Sequence, residues 1–264
     1  MKFMPVVIGV LLAWVMVICT QTALAEDVIE RTVAISDVTQ LQIEGDGSVV
    51  LRIGDAPQLK MTAAESQLDK IKVDAKGNTL RIRKNNRWGW FSENSNIAYE
   101  VTLTQLQWLE VSGGMSVDVL SAVTADNFEL KVNGGSTINF AELAVKNKVH
   151  FKLNGGCEFK VAHLTAKELD VKGNGASDIT VMAGSVQKQT LKFNGASDYK
   201  AYALESDVAD VHNSGASDVK LWVKEKLDLH LNGAGAVYYY GNPEVYSKIS
   251  GVSDVVRQGD VPPK

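Results

Sequence analysis

The stretch Gly173-Asn174-Gly175-Ala176-Ser177-Asp178-Ile179 decides the fold, because the chain repeats it. Close copies read Phe193-Asn-Gly-Ala-Ser-Asp-Tyr199 and Asn213-Ser-Gly-Ala-Ser-Asp-Val219, and looser ones begin at Val111, Val132, Leu153, Leu231 and Ile249. The first glycines are Gly113, Gly134, Gly155, Gly175, Gly195, Gly215, Gly233 and Gly251, spaced 18 to 21 residues apart. A steady period near 20 signals a solenoid, in which each repeat buries its apolar side against its neighbours.

Aligning the copies on that glycine gives columns of constant chemistry. Four residues after it stand Val117, Ile138, Phe159, Ile179, Tyr199, Val219, Val237 and Val255; four before it stand Leu109, Leu130, Phe151, Val171, Leu191, Val211 and Leu229. The column three before is polar and mostly basic: Glu110, Lys131, Lys152, Lys172, Lys192, His212, His230 and Lys248. Alternation of period two, held in register from copy to copy, predicts strands with one face buried and one wet. Asn or Ser directly precedes every glycine. Both residue types suit a corner: Asn and Gly tolerate positive φ, and Asn or Ser can bond nearby backbone. Stacked Asn side chains can also bond to one another. The fold class expected is therefore all-β, a parallel β-helix with about 20 residues per coil, its strands breaking at each Asn-Gly or Ser-Gly corner. Eight coils at about 4.8 Å would span roughly 35–40 Å. A right-handed coil is expected.

Working outward, residues 1–25 read as a signal peptide. Lys2 is followed by an apolar run from Met4 to Cys19 and by Ala23-Leu24-Ala25, a small-x-small cleavage site. The run is short for a membrane span, and the bulky Ile18 before Cys19 does not suit lipidation. Residues 26–108 form a more irregular β-rich lead. Within it, Ile43-Glu-Gly-Asp-Gly-Ser-Val49 is a degenerate copy of the repeat, Gly54-Asp-Ala-Pro57 is a turn, residues 63–68 suit a helical turn, and Lys76-Gly-Asn78 suits a hairpin turn. Residues 109–257 are the regular repeats, and 258–264 a C-terminal tail.

Loss of the leader moves the formal net charge from −4 to −5, since Lys2 goes with it. That balance argues against a nucleic-acid surface. Cys157 is then the one remaining cysteine, which precludes an intrachain disulfide. No second apolar run reaches spanning length, so no transmembrane segment is expected after cleavage.

The Asn/Ser-Gly-Ala-Ser-Asp-apolar phrase, repeated at this period behind a leader and a strand-rich lead, resembles the putative auto-transporter adhesin, head GIN domain family. The resemblance runs from about Val33 to Val255. It implies a right-handed parallel β-helix in a secreted or surface-associated bacterial protein, and it implies no established enzyme activity. The chain reaches Lys264 with neither a membrane barrel nor a stalk, so an auto-transporter is not expected.

Four sets of residues bear on function. Asp178, Asp198 and Asp218 share one column with Glu158 and Asp254, and form a polar ladder. Charges about 4.8 Å apart repel by about 1 kcal/mol in water, so local N–H groups, Lys200 and Lys220, or a bound Ca2+ must offset them. The expectation is solvated corner carboxylates, no resident cofactor, and Ca2+ as the alternative. His212 and His230 share the basic column on consecutive coils and read as a solvated pair. Trp88, Trp90 and Phe91 lie in the polar segment 84–96. They are a candidate ligand or partner contact, or alternatively padding for an open solenoid end. Cys157 reads as a buried thiol, with no base linked to it by any motif.

No catalytic constellation emerges. The reading is a non-enzymatic, exported β-helix scaffold for binding or adhesion in the bacterial cell envelope, periplasmic or on the surface. Its partner would be an envelope protein or a glycan. The alternatives are a polysaccharide-active lyase or hydrolase, whose site should interrupt the repeat with long loops, and a structural envelope protein that self-associates through its solenoid ends.

Overall fold

The computed structural model describes residues 27–84 and 97–263. Its architecture is a parallel β-solenoid of about seven turns with about 20 residues per coil. In chain order the lead holds β1 (Val28–Ala34), β2 (Gln40–Ile53), β3 (Gln58–Ala64), the short helix α1 (Glu65–Leu68), β4 (Ile71–Lys76), β5 (Thr79–Lys84) and β6 (Ala98–Leu103). The lead belongs to the solenoid through β2. Gly45 of the degenerate copy stands opposite Gly113, and Val49 opposite Val117. The other lead strands close this end of the stack. β1 lies antiparallel on β3, β3 antiparallel on β6, and β4 antiparallel on β5 through a turn at Gly77, whose φ is +59°.

The coils follow as β7 (Trp108–Gly134), β8 (Thr137–Gly155), β9 (Glu158–Gly175), β10 (Asp178–Val181), β11 (Gly184–Gly195), β12 (Asp198–Asn213), β13 (Asp218–Leu231), β14 (Ala234–Tyr240), β15 (Glu244–Ile249) and β16 (Val252–Gly259). Each pairs in parallel with the next coil, so backbone N–H and C=O groups are satisfied along the stacking direction. Within β8 the chain runs along three faces in turn. Residues 137–140 and 148–155 flank a middle stretch beginning at Glu142, and each pairs with its counterpart in β9. The strands predicted to break at every Asn-Gly or Ser-Gly corner do not all do so: β7 runs through Ser112-Gly113 without interruption. The coil bends there while its ladder to β2 persists.

The predicted columns point inward. Leu109, Leu130, Phe151, Val171, Leu191 and Val211 are all fully buried, and Phe128, Phe140, Phe151 and Phe159 form a run of tilted and edge-to-face rings. Volume is balanced between neighbouring coils. A Cβ on Gly173 would lie 2.8 Å from the Phe193 ring, so the column reads Leu153, Gly173, Phe193 because the large ring fills the space that glycine leaves. The interior also holds a polar set that periodicity did not flag. Gln189 sits in an apolar column, accepts a hydrogen bond from the Tyr199 hydroxyl (2.7 Å) and donates to Ser206 Oγ (2.9 Å), which in turn donates to the Trp222 carbonyl (2.8 Å). Burial pushes the Tyr199 phenol well above its ordinary range. Because each group has a partner, the set costs little to bury.

Candidate binding surface

Two kinds of corner shape the outer surface. The regular one is the repeated phrase. Gly113, Gly134, Gly155 and Gly175 take φ between +108° and +127°, while no residue other than glycine has positive φ among those described. The asparagines therefore do not supply the bend, contrary to one part of their expected role. They supply a ladder instead. Asn154 Nδ2 donates to Asn133 Oδ1 at 3.1 Å, Asn174 to Asn154 at 3.0 Å and Asn194 to Asn174 at 3.2 Å. The ladder ends where Ser214 replaces Asn.

The serine of the phrase has a role the sequence did not disclose. Ser136, Ser177 and Ser217 are buried, and their hydroxyls donate to the carbonyls of Gly113 (2.8 Å), Gly155 (3.3 Å) and Gly195 (3.2 Å) one coil back. Cys157 occupies the same place in its own copy, with Sγ 3.2 Å from Ser177 Oγ, and burial pushes its thiol up. It is a packing residue of the corner.

Asp178, Asp198 and Asp218 stand directly opposite one another, with Glu158 one coil earlier. Ala236 then intervenes before Asp254. Lys200 reaches both Asp178 (2.8 Å) and Asp198 (3.3 Å), and Asp218 Oδ1 accepts the Ala236 N–H at 2.9 Å. These contacts offset the repulsion along the row. Lys220 lies over the Tyr238 ring instead. His212 and His230 stack with ring centroids 4.7 Å apart and planes 5° apart, and His212 Nε2 is 3.0 Å from Asp210 Oδ1. Trp88, Trp90 and Phe91 lie outside the described residues.

The second corner is irregular. Between Ala144 and Lys148 stand three residues, where the facing stretches Thr124 to Asn127 and Thr165 to Glu168 have two. The extra residue bulges the coil outward at Lys146 and Asn147, and clefts open on both sides of it. One of about 590 Å3 is lined by Gln105, Gln107, Thr124, Asp126, Lys146 and Thr165, among others. The other, of about 410 Å3, runs over Gln40, Trp108, Glu129 and His150, with Gln107, Asn127 and Lys148 at its side. Here His150 Nδ1 lies 3.1 Å from Asp170 Oδ2, and burial holds the imidazole below its ordinary range despite that carboxylate. No sequence pattern marks this region, because the glycine spacing registers an extra residue but not where it falls.

A model of the family described as putative auto-transporter adhesin, head GIN domain, matches residues 37–243. The chain belongs to that family. Among solved structures, a putative lipid binding protein from Parabacteroides distasonis is 18% identical with a TM-score of 0.75, over 88% of this chain and 97% of that one. A putative adhesin from Parabacteroides merdae is 15% identical with a TM-score of 0.75, over the same shares. A putative adhesin from Parabacteroides distasonis is 18% identical with a TM-score of 0.74, over 88% and 98%. At these identities the likeness establishes the head GIN domain fold and not the ligand. No curated protein matches the chain. Among the described residues, no helix is long and apolar enough to cross a membrane.

Proposed function

We propose that this head GIN domain protein is an exported, non-enzymatic scaffold that binds partners in the bacterial cell envelope through its lateral surface. The observation that carries the reading is the outer surface itself. Side chains of one type recur in register from coil to coil, as in Asp178, Asp198 and Asp218, and give a long, ordered face suited to an extended partner. The leader-like residues 1–25 support export, and the adhesin descriptions of the family and its structural neighbours support binding as the activity. His150 with Asp170 and His212 with Asp210 pair a base with an acid, but neither pair has a serine or cysteine nucleophile bonded to it among the described residues.

The test is capture from bacterial envelope extracts by the immobilised chain, run beside a screen of acidic and neutral polysaccharides for unsaturated products and new reducing ends. Specific capture without turnover is the expected result. Release of sugar ends at a rate that follows enzyme concentration would replace the scaffold by a polysaccharide-active enzyme.

A further inference from the structure

We propose that the groove over Gln40, Trp108, Glu129 and His150 is a subsite for a short neutral oligosaccharide. The inference rests on the scaffold reading and gives it a ligand class. Register places Trp108 beside Gln40, and Glu129 beside His150, on consecutive coils, while the Glu129 N–H bonds to the Gln107 carbonyl next to Trp108. The groove therefore runs along the solenoid axis across four coils, roughly 14 Å at the strand spacing. Trp108 is half-buried, which holds the indole in place while leaving part of it to the groove. An indole fixed in this way offers an apolar, electron-rich face to the C–H side of a sugar ring, at low cost in conformational entropy.

The polar groups around Trp108 suit hydroxyls. Gln40 Oε1 accepts from Thr79 Oγ1 at 2.7 Å, and Gln107 Oε1 accepts weakly from Thr39 Oγ1 at 3.4 Å. The amide hydrogens of both have no bonded partner among the described residues, and the exposed Asn127 side chain likewise has none. These groups donate, Glu129 accepts, and a neutral His150, whose Nδ1–H is turned to Asp170, can accept at Nε2.

Charge selects against an ionic ligand. Glu129 is paired with Lys152 at 2.7 Å and Lys148 with Glu168 at 3.3 Å, while the neutral His150 is turned to Asp170 at 3.1 Å. Each charge bordering the groove is answered by a neighbour outside it, so neither an anion nor a cation gains a free counter-charge there. The volume of about 410 Å3 lies within the ordinary range of small-ligand sites.

The test is isothermal titration of the purified chain with chitohexaose, maltohexaose and mannohexaose, and with polygalacturonate as the acidic counterpart, at about 50 and about 500 mM salt. At least one neutral hexasaccharide should bind, with affinity changed less than about twofold by salt. Trp108→Ala should weaken it roughly tenfold or more, and the exposed change Asn127→Ala roughly threefold at an unaltered melting temperature. The proposal is overturned if none of the neutral sugars binds, if only polygalacturonate binds and is released by salt, or if both variants bind as tightly as the parent. Envelope capture separates the two readings: retained capture without sugar binding removes the subsite alone, and loss of capture by the parent chain removes the scaffold.

Discussion

The two corners of the coil are built from opposite constraints. At the Asn-Gly corner the glycine, serine and asparagine are each fixed against the neighbouring coils. A Cβ on Gly155 would sit 2.5 Å from the Gly134 carbonyl oxygen, the serine below is bonded to a glycine carbonyl, and the asparagine above is bonded to its neighbours. At the corner between Ala144 and Lys148 the neighbouring coils tolerate a different residue count, and the surplus is pushed into solvent. The first corner keeps the coils in register and the second leaves room for clefts. The clefts lie where stacking does not forbid an uneven coil.

The largest effect that would break this contrast is Gly155→Ala. Alanine must adopt a φ near +120° and also displace a backbone carbonyl held in the ladder. A loss of about 3 kcal/mol is expected from conformational strain together with overpacking, read as a fall in the urea midpoint. If the variant melts with the parent, the corner is far softer than described. Asn174→Ala comes next. It removes one bond to Asn154 and one from Asn194, both exposed, for a loss of about 1 kcal/mol by the same measurement. A change no larger than that of a neighbouring lysine would reduce the ladder to a surface ornament. The smallest effect belongs to the irregular corner. Deleting Asn147 restores the two-residue connection of the adjacent coils and should shift stability by no more than about 0.5 kcal/mol. Because it removes the bulge between the clefts, any ligand held there should be lost. A deletion that costs as much as Gly155→Ala would erase the distinction between the corners.

The comparison also explains why some of the molecule was legible in advance. The inward columns, the glycine bends and the in-register Gly45 copy follow from periodicity, since parallel stacking forces equivalent residues into equivalent places. The asparagine's propensity for positive φ and its capacity for a side-chain ladder predict the same sequence, and only the structure shows that it takes the ladder and leaves the bend to glycine. Gln189 and Tyr199 were opaque for a different reason. They lie 10 residues apart on different faces, and only closure of the coil brings them to 2.7 Å. The Trp108 groove gathers Gln40, Trp108, Glu129 and His150 from four coils, and no local pattern joins them.

By itself, then, the sequence determined the all-β solenoid, its period, its buried columns and the family to which it belongs. Those properties are repetitive, and repetition survives reading in one dimension. The tertiary structure alone decided which polar groups are paired inside, how Lys200 sits between two aspartates, and where an uneven coil opens the surface beside Trp108. These depend on distances across coils, fixed by closure and stacking, where a single extra residue moves a side chain from a crowded rung to an open one.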